Sequence, residues 1–301
     1  MNAFYLGLGY LWRGEADNAR ASLKHGILAD AEVGDEKYQA DNPLLFWLAG
    51  RMSSLMGKGS DAADFFKEAR EANTFAMQHG SRGDASAAVL GRPGDGNLVL
   101  LVECGMGPAK VARGDLGELA RFESRWHPAD RARIRVDGAV LGETVVLADL
   151  DYQARTLGGT EMEGIRKGKA VFKKSALIAG TALLHVAARD RGDSARTNAI
   201  AGAGLILFGL LTSTEADVRH WPTLPATVQV LTANVAPGAH ELELEFLDTA
   251  GRAVPDLRQA WAIDVPAASE SYFLFRSLPG LDRLAAARAA AEEPGRTKVH
   301  P

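Results

Sequence analysis

Leu6-Gly7-Leu8-Gly9-Tyr10-Leu11-Trp12-Arg13-Gly14 and Ala49-Gly50-Arg51-Met52-Ser53-Ser54-Leu55-Met56-Gly57 decide the N-terminal fold. Laying Gly14 on Gly57 brings Leu6/Ala49, Gly7/Gly50, Tyr10/Ser53, Ala19/Ala62, Leu23/Phe66 and Gly26/Ala69 into register, an offset of 43 residues. After each reference glycine comes a small residue at +5, a large apolar one at +9 and a small one at +12. Two antiparallel helices in close contact need small residues where they touch and a bulky one beside them. Residues 1–79 are therefore read as two helical hairpins, and Asn42-Pro43 as the start of the second pair.

The pattern resembles the tetratricopeptide helix pair, although its offset exceeds the usual ~34 residues. Two such units do not bury their faces alone. The helices are expected to dock on the rest of the chain or on a preceding segment.

Length and composition set bounds. The chain has 301 residues, 47% hydrophobic and 24% charged, with a net charge of −4. That balance gives no basic field for nucleic acid. The single Cys104 excludes an internal disulfide and a cysteine-based zinc site. It follows the apolar run Leu98–Glu103 and reads as a buried thiol. The first residues, Met1 to Leu6, show neither a basic region nor a cleavage site of a secretory signal.

Breakers crowd residues 80–97, read as a linker. Residues 98–278 are read as a β-rich domain. Leu98–Glu103 is a buried strand ending at the turn Gly105-Met106-Gly107-Pro108, which lacks a phosphate-loop spacing. Arg131–Asp137 alternates, with Ala132, Ile134 and Val136 on one face and Arg131, Arg133 and Arg135 on the other. Asp137-Gly138 is a turn, and Glu143–Leu147 is the expected returning strand. Thr227–Val235, His240–Leu247, Gln259–Val265 and Ser271–Ser277 complete the strands; Leu242, Leu244 and Phe246 point inward, Glu241, Glu243 and Glu245 outward. Short strands with frequent turns indicate a sandwich or partial barrel. Residues 279–301 read as an alanine-rich helix and tail. The fold class is α+β: helical hairpins, then an antiparallel β domain with an inserted apolar helical hairpin at 161–213.

That insertion joins the apolar segments Ser175–Ala188 and Ala199–Ser213 through a charged joint, Arg189-Asp190-Arg191-Gly192-Asp193. Each is shorter than the ~20 residues that span a bilayer. Their glycine content is high for soluble helices and suits close helix contact. The first reading is a packed hairpin. The second is membrane insertion, aided by the basic flank Arg166, Lys167, Lys169, Lys173 and Lys174. The third is a partner groove.

No catalytic constellation, cofactor motif or metal-ligand spacing is found. Asp217, Arg219 and Trp221 would share one face of an extended segment. With Gly107, Pro108 and Lys110 of the glycine-rich turn they form the alternative ligand-binding or enzymatic face.

Three stretches carry a wider resemblance. Asn42-Pro43 leads the second helix pair. Gly96-Asn97-Leu98-Val99-Leu100-Leu101 is followed by Gly105-Met106-Gly107-Pro108-Ala109-Lys110. Ala216-Asp217-Val218-Arg219-His220-Trp221-Pro222-Thr223-Leu224-Pro225 precedes Pro237-Gly238. Over most of residues 40–250 the chain resembles a family of bacterial cell-envelope proteins, often lipoproteins, with tetratricopeptide-like helices at the front. The resemblance implies an envelope or periplasmic location and no known catalytic residues; this chain departs from it in having no lipobox cysteine. The expected function is non-enzymatic: a scaffold binding a protein partner through its helices, with membrane association or self-assembly through residues 175–213. A cytoplasmic scaffold is the other reading.

Overall fold

The computed structural model describes residues 1–31, 42–84, 96–113, 119–156 and 218–277, with isolated positions at 90, 181, 182, 184, 188, 201 and 203. The chain divides into two compact units. The first holds Met1–Gly107, Arg125–Tyr152 and Thr223 onward; the second holds Pro108–Ser124 and Gln153–Pro222.

In the first unit four helices come first: α1 (Asn2–Trp12), α2 (Ala16–Ala31), α3 (Pro43–Leu55) and α4 (Gly59–Gln78). Each packs on the next. Two bonds of the turns repeat. Gly14 N–H donates to Leu11 O and Glu15 N–H to Tyr10 O; Gly57 N–H donates to Ser54 O and Lys58 N–H to Ser53 O. Gly14 and Gly57 take φ of +77° and +71°, a left-handed conformation that favours glycine. The close contacts repeat too. A Cβ on Gly7 would stand 3.1 Å from Leu23, and one on Gly50 would stand 3.1 Å from Phe66.

Pro43 sets the first turn of α3, where no N–H is required. Every residue of α3 from Pro43 to Ser53 is buried. Trp47, Phe46 and Leu48 each contribute about 1.5–3 kcal/mol by leaving water.

The strands form two four-stranded sheets. In the first the order is β10-β1-β7-β6, with β1 at Leu98–Cys104, β6 at Val145–Asp149, β7 at Thr227–Ala233 and β10 at Ser271–Arg276. In the second it is β5-β4-β8-β9, with β4 at Arg131–Val136, β5 at Ala139–Glu143, β8 at Gly238–Leu247 and β9 at Gln259–Val265. All seven residues of β1 are buried because both of its faces are covered. Val99 and Leu101 join the cluster under the helices, while Leu98, Leu100, Val102 and Cys104 join the cluster between the sheets. The layers are helices, sheet, sheet.

Four expectations change. Residues 80–97 do not separate two domains, because the helices and the first sheet share one apolar cluster, from Phe4 and Trp47 through Val99 to Val228. The 98–278 domain is not one body either, since residues 108–124 and 153–222 cluster apart. The sheets are not purely antiparallel: β10 runs parallel to β1. And Glu143–Leu147 is no single strand. Thr144 is a buried corner at which β5 of one sheet gives way to β6 of the other, held by Thr144 N–H to Ala132 O at 2.8 Å.

The second unit contains an antiparallel hairpin that the sequence reading missed, β2 (Ala109–Arg113) with β3 (Leu119–Glu123). The short helix α5 spans Leu150–Thr156. Of the apolar segments, Thr181, Ala182, Leu184, Ala188, Ala201 and Ala203 are described; all six are helical and exposed. The rest of the insertion expected at 161–213 and the tail 279–301 lie outside the described residues. Among the described residues no helix is long and apolar enough to cross a membrane.

Candidate functional site

Two buried charge clusters fasten the helices to the ends of β10 and β1. Arg51 is a lone cation in the apolar helix α3, only 2% exposed. Its Nε donates to Glu270 Oε2 and to the Tyr272 hydroxyl, each at 3.2 Å. Its Nη2 donates to Gly96 O at 3.0 Å and lies 2.9 Å from Glu270 Oε1. The guanidinium stacks 5.3 Å from the Trp47 ring centroid and 5.9 Å from that of Tyr272. Tyr272 in turn donates its hydroxyl to Glu270 and accepts Trp12 Nε1–H on its carbonyl at 3.1 Å. Burial, with the Glu270 charge adding, holds the Tyr272 phenol well above its ordinary range.

The second cluster centres on Glu103 of β1, 1% exposed. Tyr5 of α1 donates its hydroxyl to Glu103 Oε1 at 2.5 Å. Arg276 Nε stands 2.5 Å from Glu103 Oε2, a charge contact without hydrogen-bond alignment. Burial raises the Glu103 pKa, and the Tyr5 bond and the Arg276 charge pull it part of the way back.

Each carboxylate is thus held by one arginine and one tyrosine. Neither is placed as an acid next to a base or a nucleophile, and burial pushes the adjacent Cys104 thiol far up. Among the described residues no three His, Cys, Asp or Glu side chains group around a metal position. The chemistry is that of fastening: planar guanidinium against carboxylate, in water-poor surroundings.

The outer face of the second sheet is a closed charge ladder. Arg131 and Arg133 reach Glu143 at 2.6 and 2.8 Å, Arg133 reaches Glu245 at 3.1 Å, and Arg258 reaches Glu243 at 2.9 Å. The hydrogen bond from Arg131 is the main reason that the Glu143 pKa falls. Sequence reading had the arginine and glutamate columns but not the register that pairs Arg133 with Glu245.

The helices offer a different surface. Leu6 (55%), Trp12 (55%), Leu28 (60%) and Leu55 (42%) are exposed on it. Trp12 and Leu55 are repeat equivalents. Between α2 and α4 lies a groove of about 310 Å³, lined by Arg20, Lys24, Asp61, Asp64, Phe65 and Glu68.

The sequence-derived residues fall on both sides of the division between the units. Gly107 belongs to the first unit, where its N–H donates to Leu224 O at 2.6 Å and a Cβ would stand 2.9 Å from the carbonyl oxygens of Leu224 and Pro225. Its turn is packed against backbone. Pro108 begins the second unit. Lys110 there places its amine 5.9 Å from the Phe122 ring centroid, its cross-strand neighbour. Arg219 and Trp221 are exposed in the same unit. Asp217 and the basic residues Arg166, Lys167, Lys169, Lys173 and Lys174 lie outside the described residues. The Arg51 and Glu103 clusters escaped the sequence reading; the one available signal was a charge inside an apolar run, at Arg51 and again at Glu103.

Comparison with models of protein families, with curated proteins and with solved structures finds no match for this chain.

Proposed function

We propose that the chain is a non-enzymatic scaffold of the bacterial cell envelope that binds a protein partner through tetratricopeptide-like helix pairs. The observation that carries this reading is the repeat of 43 residues, kept in turn bonds, glycine conformation and close contacts alike. Exposed apolar side chains on those helices supply contact area, and the buried Arg51 and Glu103 clusters hold the helices on a stiff sandwich. A preorganised surface loses little freedom on binding. The exposed helical positions between Thr181 and Ala203, Leu184 among them, support a second contact with a membrane or with other copies.

The test is photocrosslinking in cells, with benzoylphenylalanine placed singly at Trp12, Leu28, Leu55 and, as control, Arg135 on the charge ladder. The expected result is adducts with another polypeptide from the helix positions and none from Arg135. Adducts from Arg135 alone would overturn the reading. Fractionation of the same cells separates an envelope from a cytoplasmic scaffold.

A further inference from the structure

The edge strands of the two sheets are not finished alike. β5 and β6 each carry a bulge: Leu141 has no partner on β4 and Leu147 none on β7. A bulge twists an edge away from further pairing. On β10 the carbonyls of Tyr272 and Arg276 are already taken, by Trp12 Nε1–H at 3.1 Å and by Gln259 Nε2–H at 2.7 Å. β9 is different. It pairs with β8 through seven successive residues, Gln259 to Val265, without a shift. It holds no lysine, and Pro266 falls just past its end. Alternate residues of such a strand turn N–H and C=O away from the sheet. Among the described residues nothing bonds to them.

A bare edge does not say what pairs with it; the side chains do. Arg258, Ala260, Ala262 and Asp264 lie along the outer face of this edge. Arg258 is extended, at φ −62° and ψ 136°, and reaches outward to Glu243 with a side chain 62% exposed. The other three are exposed as well. Ala260 and Ala262 line a groove of about 430 Å³, so no bulky side chain stands over the edge there.

The row reads positive, small, small, negative. Laid antiparallel on itself about Trp261, it sets Arg258 opposite Asp264 twice and Ala260 opposite Ala262 twice. Laid parallel in register, it sets Arg258 on Arg258 and Asp264 on Asp264. Opposite charges facing each other across paired strands stabilise them, and like charges do the reverse. Shifted by two residues, the pairing loses both direct ion pairs and draws in Pro266 or the 3₁₀ turn Pro255–Leu257. The row is therefore its own complement in one antiparallel register. A two-fold dimer needs that property, because both subunits present the same patch.

We propose that β9 pairs antiparallel with β9 of a second copy of this chain, about a two-fold axis at Trp261. The two outer sheets then form one sheet of eight strands. On the inner side Trp261, already packed 5.8 Å from Phe275, carries the apolar core across the seam. The seam lies in the second sheet, one layer away from the helices. The inference does not rest on the reading of the helices as a partner surface.

The experiment is sedimentation velocity on the purified full chain and on two charge variants, Arg258→Asp and Asp264→Arg. The parent should sediment as two chains and each variant alone as one, since each sets like charges opposite each other at both ends of the seam. An equal mixture of the two variants should recover the two-chain species, because a chain with two arginines then faces a chain with two aspartates. Should either variant fold poorly, a mixture of Ala260→Cys and Ala262→Cys chains must join by a disulfide under diamide, and a mixture of Val140→Cys and Ala262→Cys chains must not. A parent of one-chain mass, as expected if another segment or another protein holds this edge, overturns the proposal. So does a dimer that either variant keeps, or a mixture that stays at one-chain mass.

Discussion

Arg51 and Glu270 meet at 2.9 Å across 219 residues of sequence, a buried ion pair between the second helix pair and the strand that ends the first sheet. Removing one partner of such a pair strands the other charge. Arg51→Ala should therefore lose about 3–5 kcal/mol of stability, read as a lower midpoint in urea. The pair replacement Arg51→Met with Glu270→Gln should recover a large part of that loss. A single variant as stable as the parent would show that the pair does not hold the layers together.

Gly7 and Gly50 should respond alike. A Cβ at either stands 3.1 Å from its partner side chain, Leu23 or Phe66. Gly7→Ala and Gly50→Ala should each cost about 1–3 kcal/mol through overpacking. Phe66→Leu should relieve Gly50→Ala and leave Gly7→Ala untouched. Chemical denaturation of the four variants checks this, and a free gain at Gly50 would contradict the close contact.

His240 ties the β4–β5 turn to the connection between β7 and β8. Its Nδ1 donates to Asp137 Oδ2 and its Nε2 to Ala236 O, both at 2.7 Å, which requires the protonated ring. The Asp137 bond is the main cause of its raised pKa; the Ala236 carbonyl and the Asp264 charge add to it. A raised folded pKa gives stability that is whole below the ordinary histidine value and lost as pH rises through the folded one. NMR titration should find His240 above about 6.5. Asp137→Asn should bring it down. An unchanged midpoint in that variant would remove the link.

Cys104 is 1% exposed, and burial keeps its thiol protonated. A thiol reagent should label it only through global opening, so the labelling rate in increasing denaturant should follow the unfolding equilibrium. Rapid labelling in buffer would mean that the two sheets separate locally.

How much of this was legible in the sequence depends on the range of each interaction. Gly14 and Gly57, Leu23 and Phe66 announce the helix pairs because the helix period acts within a few residues. Alternation gave the inward faces of β4 and β8, and the unbroken apolar run of β1 was rightly read as a buried strand. Partner choice was not legible. Nothing in Ser271–Arg276 says that it runs parallel to β1. Nothing near Arg133 names Glu245, since a register shift of one residue would turn that column away. Thr144 reads as an ordinary strand residue until two sheets need a corner. Of the candidate site residues, Gly107 was chosen for a loop that could hold a ligand, yet the backbone of Leu224 and Pro225 fills that space. The buried Arg51 and Glu103 clusters depend on contacts as far as 260 residues apart.

Hydrogen exchange on the purified chain, alone and in the complex recovered from cells, tests the scaffold reading most directly. The account predicts added protection in α1 and in the exposed helix ends at Leu28 and Leu55, with the outer strands β4 and β8 unchanged. Added protection confined to β4 and β8, with the helices exchanging as in the free chain, would contradict it.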